Sequence, residues 1–205
     1  NIFNFLVVIG VSAMIFPIIS HKDIIKRDLW WNLGITGLLL LLIFDGKIGR
    51  LDGAILLVGM ALYLFVVIRN ALKNRTTEEN EKLLSVPKSI IFIVIGLAAI
   101  IVGGNFVVDN ASIIAASLGL SETLIGLTIV AIGTSLPELV TSITAAKKQE
   151  AGIALGNAVS SNIFNILFIL GAYSILTPIK KKKEINIDTI ILIIVGILVF
   201  IFAYT

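Results

Sequence analysis

The chain has 205 residues, of which 58% are hydrophobic and 14% charged, with a formal net charge of +3. A soluble domain carries roughly 25% charged residues, so this composition excludes a soluble enzyme, a disordered tail and a disulfide-stapled secreted module. With no cysteine and one histidine, thiolate metal sites, redox pairs and Cys/His catalysis are excluded as well. The basic surplus is spread over loops, the pattern of membrane topology and not of nucleic-acid binding.

Residues 1–20, 89–108 and 151–179 contain no Asp, Glu, Lys or Arg. Each is long enough for a helix that crosses a bilayer core, which needs about 20 residues. In chain order the apolar segments fall at 2–19, 29–44, 51–68, 87–108, 122–146, 151–177 and 186–204. The second and third are short for spans but are flanked by Trp30, Trp31 and charged loops, with the turn Asp45-Gly46-Lys47-Ile48-Gly49-Arg50 between them. The most polar stretch, Arg69 to Lys88, reads as a central linker. Residues 109–121 either prolong the fourth segment or cap it, with Asp109 and Asn110 read as a helix end. The expected fold is all-α, a polytopic transmembrane bundle.

Alternate loops differ in basic charge. The first, third and fifth hold Lys22, Lys26, Arg27, Arg69, Lys73, Arg75, Lys82, Lys88, Lys147 and Lys148; the others hold Lys47, Arg50 and the run Lys180 to Lys183. The positive-inside rule places the richer set in the cytoplasm and residue 1 on the outer side, against the vote of the Lys180–Lys183 run. The chain starts inside an apolar segment, without the charged flank of a signal peptide.

Residues 1–18, NIFNFLVVIGVSAMIFPI, match residues 162–179, NIFNILFILGAYSILTPI, at eight of eighteen positions with a constant offset of 161. Chance pairing of apolar helices would share Ile and Leu, not two Asn, a Gly and a Pro in register. The copies lie five segments apart, an odd number, so they run oppositely through the membrane. That is an inverted-topology repeat, an architecture of secondary transporters whose substrate sits at the repeat interface. The division expected is 1–68 as the later part of a first half, 69–86 as a cytoplasmic linker and 87–205 as the second half. The repeat arithmetic also predicts at least two further spans before residue 1 and another after Thr205.

Glu138 follows fifteen uncharged residues and precedes eight more. A carboxylate inside a membrane costs several kcal/mol unless it meets a cation, a proton or water, and such acids are functional by default. Pro137 beside it removes a helical hydrogen bond from the Gly133 carbonyl, and broken membrane helices offer such carbonyls to ions. Thr134, Glu138 and Ser142 recur at i, i+4 spacing, which predicts one polar stripe. Asn157, Ser161 and Asn165 form a matching stripe on the sixth segment, with Asn162 beside it. These are hard oxygen donors, suited to calcium or sodium and not to zinc or copper.

GTSLPEL at 133–139, followed by GNAVSSNIFNILFILG at 156–171, resembles the second alpha repeat of sodium/calcium exchangers in the cation/calcium antiporter superfamily. NIFNFLVVIG at the start is similar to the end of the first alpha repeat, and the likeness is strongest to the prokaryotic calcium/sodium antiporter branch. The resemblance implies ten spans in two inverted halves, about seven of them here, and sodium/calcium antiport by alternating access across the plasma (inner) membrane. It implies that Glu138 binds both ions and that the Thr134 carbonyl ligates calcium. Ser135, the Ala131 carbonyl and Ser161 match sodium-ligand positions, and Asn165 and Asn4 match central positions where some relatives carry Asp. It also implies lipid, calcium and sodium as the partners, with no organic cofactor, together with the remaining N-terminal spans of the parent protein. Two alternatives stay open on the residues: a proton/calcium or other cation exchanger of the same fold, and a transport-inactive membrane fragment. No nucleophile–base pair supports an enzyme.

Overall fold

Lipid offers no hydrogen-bond partner to a peptide group, so a chain of mean hydropathy +1.07 must satisfy its backbone within helices. The computed structural model describes residues 1–17, 24–73, 85–180 and 184–204. His21, the linker residues 74–84 and Lys181 to Lys183 lie outside the described residues.

The helices in chain order are α1 Asn4–Ile15, α2 Arg27–Asp45, α3 Arg50–Lys73 and α4 Val86–Ser117, then α5 over 122–134. They continue with α6 Leu136–Lys147, α7 Gly152–Leu176 and α8 Glu184–Tyr204. Among the described residues five helices are long and apolar enough to cross a membrane, and the bent pair α5–α6 makes a sixth if it counts as one span. The fold is therefore the expected all-α, polytopic membrane type.

Several boundaries depart from the sequence reading for local reasons. The first segment ends at Ile15, because Phe16 is extended before Pro17, as a residue preceding proline tends to be. Asp109 and Asn110 do not mark a helix end: α4 runs on to Ser117, and Asn110 Nδ2 donates to the Phe106 carbonyl at 2.7 Å. The true end is a Schellman turn. Gly119 adopts φ +85°, the Leu120 N–H donates to the Ala115 carbonyl at 3.1 Å, and the Gly119 N–H to that of Ala116 at 3.0 Å. The same turn ends α6, but there Gln149 occupies the left-handed position at φ +64°. Its Glu150 N–H reaches the Ala145 carbonyl at 2.9 Å.

The chain divides into two compact units, residues 1–74 with 141–205, and residues 75–140. In the first, the core gathers Phe5, Leu29, Leu56, Leu155, Ile163 and Leu167. There α3 crosses α7 at paired glycines. A Cβ on Gly53 would stand 2.6 Å from the Gly171 carbonyl oxygen, so only the absence of a side chain permits the approach. The connections α2–α3 and α7–α8 pair as short antiparallel strands, β1 Lys47–Ile48 with β2 Ile179–Lys180, in register Lys47 to Lys180. These two loops thus lie at the same end of their unit, as alternate loops of a multispan chain should.

In the second unit α4 supplies a wall for α5. A Cβ on Gly133 would overlap Cγ2 of Val108, so the glycine fixes how closely α5 meets α4.

The glycine crossing and the left-handed glutamine each predict a stability change, readable as thermal unfolding in detergent. Gly53→Ala must move backbone and should cost about 1–3 kcal/mol. Gly59→Ala meets only the flexible end of Leu167, at 3.1 Å, and should cost less. Gln149→Gly removes the left-handed strain and should stabilise by about 1 kcal/mol.

Candidate functional site

The repeat is visible in the backbone. α1 opens with a wide π-helical turn over Asn4–Val8, and the equivalent turn in α7 spans Asn165–Leu170. Asn4 and Asn165 are repeat mates at the offset of 161, and each begins its π turn. After these turns both copies close with regular helix and an extended residue, Phe16 in one and Thr177 in the other, before Pro17 and Pro178. Such widened turns are frequent at functional positions.

The two copies meet through their amides. Asn4 Nδ2 donates to Ser161 Oγ at 3.3 Å, and Asn165 Nδ2 donates to Asn1 Oδ1 at 3.0 Å. Residue 4 pairs with 161 while residue 1 pairs with 165, so the chains run in opposite directions through the contact. The helices that carry the two copies are thus packed antiparallel, as an inverted repeat requires. Asn4 is 1% exposed and its Oδ1 has no hydrogen-bond partner. A buried amide oxygen without a donor is costly in an apolar interior. It is the kind of oxygen a cation would use.

The stripe Asn157, Ser161, Asn165 occupies one face of α7, as its spacing predicts. Its members reach different partners: Asn157 Nδ2 donates to Ser142 Oγ of α6 at 3.1 Å, Ser161 meets Asn4 of α1, and Asn165 meets Asn1 just before that helix. Three candidate residues, Asn4, Ser161 and Asn165, are therefore brought together in the first unit.

The other four lie in the second unit. Ala131 and Thr134 form the last turn of α5, and Ser135, 8% exposed, stands at the break, its N–H on the Ile132 carbonyl at 3.0 Å. The helix bends by 50° there. Pro137 falls in the first turn of α6, where a missing N–H costs nothing and the fixed φ suits the helix start. Glu138 follows it in the same turn, half-buried. A carboxylate there is favoured by the partial positive charge of the helix N-terminus. The break corrects one expectation. Thr134, Glu138 and Ser142 do not form a single continuous stripe, because Thr134 ends one helix while Glu138 and Ser142 belong to the next.

One polar row was missed by the sequence reading. Asp28, Asn32 and Thr36 repeat at i, i+4 on α2 and are all buried. Asp28 accepts from Arg27 Nε at 2.7 Å and Nη2 at 2.9 Å, and from the Tyr63 hydroxyl at 3.4 Å. Asn32 Oδ1 accepts from Asn162 Nδ2 of α7, and Thr36 Oγ1 donates to the Asn32 carbonyl at 2.8 Å. Starting the second segment at residue 29 put Asp28 in a loop and hid the spacing that marks the row.

Among the described residues there is no group of three or more His, Cys, Asp or Glu side chains that could hold a metal. The oxygens gathered here are amide and hydroxyl oxygens. They are hard, neutral donors, adequate for a transiently held alkali or alkaline-earth cation.

Comparison with known proteins identifies the family. Residues 1–69 and 88–205 match the family model described as sodium/calcium exchanger protein. Inner membrane protein YrbG of Escherichia coli is 35% identical over 188 residues, covering 87% of this chain and 58% of that protein. Sodium/calcium exchanger MaX1 of Methanosarcina acetivorans is 39% identical over 115 residues, 56% of this chain and 33% of its own. A solved structure of the sodium-calcium exchanger NCX_Mj, soaked with sodium and strontium, superposes with a TM-score of 0.83 at 36% identity. That match covers 98% of this chain and 65% of the exchanger's, so the chain spans less than two thirds of the length of these relatives. The antiparallel repeat, the broken helix and these matches lead to one conclusion: the chain belongs to the sodium/calcium exchanger family.

Proposed function

We propose that the protein carrying this chain is a secondary antiporter that exchanges sodium for calcium across the plasma (inner) membrane, and not an enzyme. In this reading residues 1–68 and 87–205 contribute to two inverted halves joined through 69–86, and ions bind at mid-membrane. Glu138 is the acid this chain brings to the ion site. Thr134 and Ala131 would offer backbone carbonyls, Ser135 and Ser161 hydroxyls, and Asn4 and Asn165 amide oxygens.

The observation that carries the reading is the antiparallel contact of Asn4 with Ser161, which leaves Asn4 Oδ1 buried and without a donor. Small neutral oxygens on two opposed helices can surround an ion from both membrane directions. The break at Ser135 is the second support, a carboxylate at a helix start beside the end of another helix. Broken helices in transporters serve ions in this way. Calcium and sodium would compete for overlapping oxygens. Occupancy by either partner would offset the charge on Glu138, whereas an uncompensated carboxylate would resist the change of access. Exchange without leak follows from that difference.

Radioactive calcium uptake into proteoliposomes holding the full-length protein tests the proposal. Uptake should require sodium inside the vesicles and should ignore a pH gradient. Glu138→Gln should lower it by about 100-fold or more, since breaking a buried charge pair costs roughly 3–5 kcal/mol and each 1.4 kcal/mol is tenfold. Uptake driven by protons and indifferent to sodium would replace the coupling ion. Undiminished uptake by Glu138→Gln would overturn the site.

A further inference from the structure

The ligand face of α7 must point at α1 for Ser161 and Asn165 to meet Asn4 and Asn1. Successive residues of a helix differ by about 100° in direction, so a modest rotation of α7 would carry both side chains away from their partners. Apolar packing resists such a rotation, and a directional hydrogen bond adds a preference for one particular roll.

Asn162 follows Ser161 directly and points to a different neighbour. It is 0% exposed, and its Nδ2 donates to Oδ1 of Asn32 on α2. The stretch of α2 that carries Asn32 is tied down in turn. Thr36 bonds the Asn32 carbonyl, and Asp28 one turn earlier is fixed by Arg27 and the Tyr63 hydroxyl of α3. Asn32 Nδ2 lies 3.5 Å from where a Cβ on Gly196 of α8 would be, so that helix closes the remaining side. The pair is not optimised for stability. Asn32 Nδ2 and Asn162 Oδ1 are both buried without a partner, a cost that two leucines in the same place would not carry. Buried asparagine pairs that sacrifice stability are known to fix the register of helices.

We infer that Asn32 is a positioning residue for the ion site: through Asn162 it fixes the rotation of α7 that aims Ser161 and Asn165 at α1. The inference rests on the exchanger reading and adds a residue that touches no ion.

The test compares Asn32→Leu, Asn162→Leu and the double variant N32L/N162L in the full-length protein, with thermal unfolding in detergent and sodium-driven calcium uptake as readouts. Each single change leaves one amide wholly unpaired and should lower the unfolding temperature. The double variant removes the idle atoms and should recover wild-type stability, yet its KM for calcium should stay raised about tenfold with kcat changed less than about threefold. A KM that returns to within about twofold of wild type as stability recovers would make the contact mere packing and overturn the inference. A double variant that does not fold would overturn it as well, because the pair would then be structural. Wild-type protein without sodium-driven uptake would instead defeat the exchanger reading, a separate outcome.

Discussion

The antiparallel contact between α1 and α7 is the constraint on which the rest of the first unit depends. Two helices in an apolar medium gain little from hydrophobic association, so small residues and interhelical hydrogen bonds must hold them. Here the bonds are amide to hydroxyl and amide to amide, Asn4 to Ser161 and Asn165 to Asn1. They are directional, and they work only if both helices keep their rotation. The glycine crossing of Gly53 with Gly171 and the Asn32–Asn162 contact both act on α7, the first on its position and the second on its roll. Polar contact, close approach and bulged turns converge on one helix.

Much of this arrangement was legible in the residue order. The offset of 161 located the repeat, and the structure places π turns at Asn4 and Asn165, the positions the offset equates. The i, i+4 row on α7 was readable because a helix without charges makes three polar residues conspicuous. What escaped was the row on α2. Its first member is an aspartate beside an arginine, and in sequence such a pair looks like a loop. Only the fold shows Asp28 at 4% exposure with its charge satisfied by its own neighbour and by Tyr63. Periodicity finds a polar stripe inside an apolar run more readily than at its edge.

The broken helix was foreseen in kind but not in form. A proline was expected to loosen a continuous helix and leave Thr134, Glu138 and Ser142 in one line. The chain instead stops at Thr134 and restarts at Leu136, which places Pro137 where helices accept it and Glu138 where a carboxylate is favoured. A restart spares the chain a proline inside a helix, where it would leave the Gly133 carbonyl without its N–H donor. Gly133 against Val108 shows that the approach to the break is itself tightly packed.

On the proposed reading, the neutrality of the α1–α7 contact has a further consequence. Carboxylates at positions 4 and 165 would have to be charged in lipid, protonated or permanently occupied. Amides avoid that choice, because Nδ2 of Asn4 and of Asn165 bonds a neighbour without any ion, while the neutral Oδ1 of Asn4 would stand ready for one. Asn165 with Asn1 and Asn4 with Ser161 are such resting partners. On that reading Glu138 would carry the charge that senses occupancy.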